Sequence, residues 1–183
     1  MPAHAGPSFE VIVISSANNY DKFSQICMSC GLGGGCCKDA HPPLTQHRIE
    51  ALLRHGASPD DIEHIGYHRL KTKEDGFCVL FENGRCRVHE AKPETCIAGP
   101  FTFDISGDFL EIYLKKESIC PMAGSLIEDE EAYREQYNRA MEEIIRLVRD
   151  LSQEELSVIL KIEEPETVKV GEVRLKERHD RRN

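Results

Sequence analysis

Three features of the 183-residue sequence predict an α+β fold: a small, irregular, cysteine-rich domain of short hairpins and helices, followed by a C-terminal helical segment. Four of the eight cysteines crowd into one glycine-rich stretch, "CMSCGLGGGCC", over residues 27–37. An Asn83-Gly84 pair sits between two apolar, strand-like runs, the strongest short-range hairpin signal. From Tyr133 to Leu151, apolar residues recur at helical spacing.

Taken in order, residues 11–14 form a short apolar run expected as a strand, and the cysteine loop follows, ending at Pro42-Pro43. Thr45 can cap a helix carrying Ile49, Leu52 and Leu53, with Gly56 as its stop. Ser58-Pro59 predicts a second short helix, with Ser58 as cap, Pro59 in the first turn and Gly66 beyond the end. In "FCVLFENGRCRV" a two-residue turn would pair Glu82 with Arg85 and place Cys86 opposite Phe81. In "FTFDISGDFLEIYL", Phe101, Phe103 and Ile105 alternate with polar residues and are followed by Leu110, Ile112 and Leu114, a second hairpin.

The long C-terminal helix carries Tyr133, Tyr137, Ala140, Met141, Ile144, Ile145, Val148 and Leu151, with an acidic first turn and a basic last turn that suit the helix dipole. Ser152 with Glu155 makes a capping box for one more helix, bearing Leu156, Ile159 and Leu160. Pro165 is expected to end the regular region, and the basic tail over residues 169–183 to be solvated and flexible. The organisation that follows is a cysteine-cluster domain over residues 1–126, a helical segment over 127–164 and a tail over 165–183.

Composition limits the function classes. Hydrophobic residues at 40% and charged residues at 30% describe a soluble globular chain. A formal charge of −9 excludes a general nucleic-acid binder, which needs a positive footprint. No apolar run reaches the length of a membrane span. The 11–14 run follows Glu10 and lacks a cationic leader, so no signal peptide is expected and the protein is read as cytoplasmic.

In a reducing compartment, dense cysteine spacing points to metal binding rather than to disulfides. The candidate ligands are Cys27, Cys30, Cys36, Cys37, Cys78, Cys86, Cys96 and Cys120. Two residues between Cys27 and Cys30 let one turn present two sulfurs to one centre. Cys36 and Cys37 are neighbours; in extended chain their side chains point to opposite sides, so they share a centre only in a tight turn. Gly31, Gly33, Gly34 and Gly35 permit such turns and leave N–H groups able to approach sulfur. Cys78 and Cys86 flank Asn83-Gly84, but the hairpin register alone does not join their sulfurs. The carboxylates of Asp60, Asp61 and residues 128–131 read as helix starts. His41, His47, His55, His64 and His68 are spread over loops and helix faces, and no catalytic residue is assigned.

These residues resemble a family. "CMSCGLGGGCC" followed by "FCVLFENGRCRVHEAKPETCIAGP" is similar to the YkgJ-type cysteine-cluster family, described as a zinc- or iron-chelating domain. Its pattern is C-x-x-C-x-x-x-C-C, a cysteine entering a hairpin, then G-x-C-x-(I/V)-Y-x-x-R-P-x-x-C with a proline soon after. Gly84, Cys86, Val88, Pro93, Cys96 and Pro100 fall on those positions, and the resemblance covers about residues 27–121. The chain departs from it in a five-residue spacer before Cys36-Cys37, in His89 for the customary tyrosine and in Lys92 for the customary arginine. The resemblance implies an iron–sulfur protein, an oxidoreductase component among its labels.

A single C-x-x-C with otherwise irregular spacing also suits a cluster, here a cubane 4Fe-4S, better than paired zinc knuckles. The expectation is an electron-transfer or redox role with a redox or assembly partner protein. The alternative is a structural zinc module mediating protein interaction. A cluster-dependent modifying enzyme is the weaker alternative, since no glycine-rich nucleotide fingerprint follows a strand.

Overall fold

The computed structural model describes residues 35–163 and 166–175. The expected strand over 11–14, Cys27, Cys30 and the tail end over 176–183 lie outside these residues. The fold is α+β, as expected. Among the described residues, five helices, α1 (Gln46–Arg54), α2 (Glu94–Ala98), α3 (Met122–Glu128), α4 (Glu130–Asp150) and α5 (Gln153–Ile159), accompany three small antiparallel sheets. The strands are β1 (Ile62–His64) with β2 (His68–Leu70), β3 (Phe81–Glu82) with β4 (Arg85–Cys86), and β5 (Phe101–Ser106), β6 (Phe109–Lys115) and β7 (Thr167–Arg174) in that order.

Local chemistry sets most of these boundaries. The Thr45 side chain accepts from the Arg48 N–H at 3.1 Å and so caps α1, and Gly56, at φ +96°, turns the chain away after it. The β3–β4 pair has the expected register, Phe81 opposite Cys86 and Glu82 opposite Arg85. Asn83 and Gly84 take the positive φ values of 50° and 80° that a two-residue turn of this hand demands. Both arms of the capping box before α5 form: the Glu155 N–H donates to Ser152 Oγ and the Ser152 N–H to Glu155 Oε2. Asp129 accepts from the Ala132 N–H, which starts α4 afresh after α3, a helix the sequence reading did not anticipate.

Two expectations are corrected. Ser58 and Pro59 do start a capped turn, but it is one 3-10 turn, Pro59–Asp61, and not a helix running to Gly66. Asp61 spends its carboxylate on the Ser58 N–H and on Arg87, and Ile62 then pairs with Leu70 across the β1–β2 hairpin, whose turn holds Gly66. Regular structure also continues past Pro165. Thr167–Arg174 forms β7 along the edge of β6, where Lys169 Nζ reaches Glu111 and Glu172. The alternation of Val168 and Val170 with polar neighbours is a strand signal inside a segment whose basic charge reads as tail.

Two cores result. The smaller gathers Leu44, Leu52, Leu70, Cys78, Leu80 and Val88. The larger joins Phe101, Leu110, Ile112 and Leu114 of the sheet to Ala140, Ile144, Leu147 and Val148 of α4. The β6–β7 ladder slips one residue between Ile112 and Tyr113, and Gly171 lies at that irregularity. A Cβ at Gly171 would collide with the Tyr137 hydroxyl, and the Tyr137 ring is itself held against Tyr133 and Phe101. Gly171→Ala is therefore expected to cost about 1–3 kcal/mol, as overpacking does. Urea unfolding checks this, and part of the loss should return in the Gly171→Ala/Tyr137→Phe double variant.

Candidate metal centre

Three of the cysteines, Cys37, Cys78 and Cys86, border the smaller core. Gly35–Cys37 is a single 3-10 turn, the tight turn that adjacent cysteines need. Within it Cys37 packs into the small core while Cys36 is exposed, so the two side chains part company. The chain then runs alongside residues 76–78: the Asp39 N–H donates to the Gly76 carbonyl and the Cys78 N–H to the Cys37 carbonyl, both at 2.8 Å. A turn closed by the Phe81 N–H on the Cys78 carbonyl, at 2.9 Å, folds Cys78 back over the β3–β4 hairpin. Cys78 and Cys86 now border the same core and act on each other electrostatically.

Cys96 arrives from a different direction, on the five-residue helix α2. Pro93 caps α2 without a side-chain bond, so the helix depends on its neighbours. From α1, buried Arg48 donates Nε to Glu94 Oε1 at 3.0 Å, reaches the Ala91 carbonyl at 3.4 Å, and lies 3.6 Å from Glu143 of α4. From α4, buried Gln136 donates to the Ile97 and Gly99 carbonyls at 2.9 and 2.6 Å, closing the C-terminal end of α2. Sequence reading missed Arg48, Glu94 and Gln136, since their partners lie 37–46 residues away. Only their buried polar character after folding marks them.

The electrostatics tie the thiols together. Burial pushes the Cys78 thiol above its usual range, the backbone at Leu80 opposes through a hydrogen bond, and the charge of Cys86 reinforces the rise. The Cys96 thiol is pushed strongly up by burial first, then by Cys78 and Cys86, with Cys36 adding and Lys92 opposing. Cys96 keeps an open surface, so solvent tempers the burial contribution, while the neighbouring sulfurs act in the same direction. By geometry, Cys37, Cys78 and Cys86 border the smaller core, and Cys96 is carried on the short helix α2. Cys120 stands at the entrance of α3, its N–H bonded to the Lys116 carbonyl at 2.9 Å.

Among the described residues, no three side chains of His, Cys, Asp or Glu converge closely enough to hold a metal ion, and no disulfide joins the six described cysteines. The donor set itself is soft sulfur, which suits zinc or iron over hard cations. The histidines are occupied otherwise. His41 Nδ1 lies 3.3 Å from Thr72 Oγ1, His64 and His68 face each other edge-on across β1 and β2, and His89 opens a 3-10 turn.

A small α+β scaffold that carries cysteines on several separate loops is consistent in kind with a cysteine-rich chelating domain. Residues 26–121 match the CxxCxxCC family, whose description reads "Putative zinc- or iron-chelating domain". The match spans just over half of the chain, and the protein belongs to this family. No curated protein and no solved structure matches it. Among the described residues, no helix is long and apolar enough to cross a membrane.

Proposed function

We propose that the protein carries an iron–sulfur cluster, a 4Fe-4S centre, and exchanges electrons with a partner protein. Cys27, Cys30, Cys36, Cys37, Cys78, Cys86, Cys96 and Cys120 are its candidate ligands. The observation that carries this reading is the family match over residues 26–121, together with a set of cysteines spread over separate loops. Sulfur donors from scattered loops are the usual cradle of such clusters. When bound, the cluster supplies one-electron chemistry.

The chain's own residues do the rest. The thiols surrender their protons on loading, against the upward push of burial and of one another. Lys92, a buried cation that favours the charged form of Cys96, offsets part of the accumulated negative charge. The small core excludes water from Cys78.

The test is anaerobic purification followed by assay of iron, zinc and acid-labile sulfide. Iron and sulfide in equal amounts, with a visible charge-transfer band, are expected. Colourless protein with stoichiometric zinc would replace this reading with a structural zinc module. Folded protein holding neither metal would end both.

A further inference from the structure

We propose that Arg48 and Gln136 are positioning residues that set the direction of the Cys96 thiol by locking the rotation of α2; the proposal rests on reading Cys96 as a metal ligand. Glu94 and Cys96 are two residues apart on one helix, hence about 200° apart around its axis. Glu94 is 0% exposed and faces Arg48, whereas Cys96 is exposed on the other side. Holding the Glu94 face inward therefore fixes the side of α2 from which Cys96 projects.

A five-residue helix cannot hold its own rotation, because so few hydrogen bonds do not offset the cost of fixing its backbone. Two clamps from outside do so. Arg48 grips the entry of α2 through Glu94 and the Ala91 carbonyl, and Gln136 grips its exit through the Ile97 and Gly99 carbonyls. The second carboxylate oxygen of Glu94 is buried with no hydrogen-bond partner among the described residues, so Arg48 is what holds this side chain. Since α1 belongs to the thiol-bearing lobe and α4 to the larger core, α2 is fixed from both sides at once. A rotation of α2 by 30° would carry the sulfur roughly 2 Å, given the helix radius. Metal–sulfur distances tolerate about a tenth of that.

The test is anaerobic Co²⁺ titration of the reduced full-length protein, read through affinity and through the sulfur-to-cobalt charge-transfer intensity per bound ion. Cys96→Ser is the reference and is expected to lower that intensity by one thiolate's share. The double variant Arg48→Met/Glu94→Leu removes the clamp without leaving a buried lone charge, and is expected to keep its circular dichroism. It should lose about tenfold or more in affinity, the usual cost of removing an outer-shell support, and show the Cys96→Ser intensity. Gln136→Leu releases the other clamp and should move both quantities the same way, and it carries the test alone if the double variant does not fold. Wild-type affinity and intensity in a folded clamp variant would overturn the proposal. If Cys96→Ser itself leaves the intensity unchanged, Cys96 is no ligand, and the ligand reading falls independently of what the clamp variants do.

Discussion

Cys78→Ser is expected to abolish metal loading and to unfold the thiol-bearing lobe. Cys78 is 8% exposed and packs among Leu44, Leu52, Leu70, Leu80 and Val88, where its thiol fills apolar space. Serine there replaces a soft thiolate with a hydroxyl that ionises far less readily, and it buries a polar group in a core of few side chains. The loss should be large because metal-binding energy is folding energy in small thiolate sites, on the order of 10–16 kcal/mol for structural zinc. Elemental analysis and thermal unfolding with and without a chelator check this. Chelation should lower the melting temperature of the wild-type protein, and the variant should melt at that lowered temperature with or without chelator. A Cys78→Ser protein with full metal content would remove Cys78 from the ligand set.

Phe101→Ala is expected to cost about 3–5 kcal/mol, the usual penalty for emptying a buried aromatic site. Phe101 is 2% exposed in the larger core and meets Tyr133 and Tyr137 edge-on, each pair at a centroid distance of 5.5 Å. Those two contacts add to the burial term, about 0.5–1.5 kcal/mol apiece. At about 2–4 °C per kcal/mol for a chain of this size, the melting temperature should fall by roughly 6–20 °C. The metal content of the folded protein should not change, because Phe101 belongs to the larger core and the gathered thiols border the smaller one. A drop below 1 kcal/mol would mean that the aromatic group does not anchor this core.

The two predictions probe parts of the molecule that were unequally legible. The β3–β4 register could be read from Asn83-Gly84 to the residue, including Cys86 opposite Phe81, because a two-residue turn leaves no freedom of pairing. The same reading correctly held that this register alone would not unite Cys78 with Cys86. It could not supply the path of Cys78, whose N–H meets the Cys37 carbonyl 41 residues earlier in the chain. The short helix expected after Ser58 failed because its cap was right and its continuation was decided by pairing with β2. The tail failed in the opposite way: its charge suggested solvent, while the open edge of β6 recruited it as β7.

By itself the sequence determined the capped ends of α1 and α5, the two tight hairpins, the apolar face of α4 and the family to which the cysteine pattern belongs. All of these are written in residues a few positions apart, where backbone geometry leaves few choices. The tertiary structure alone decided that Cys37, Cys78 and Cys86 border one small core, and that Arg48 and Gln136 hold the short helix that carries Cys96. Those outcomes join residues tens of positions apart. Burial and charge pairing select them only after the chain has closed on itself, when an unpartnered buried group becomes too costly to leave.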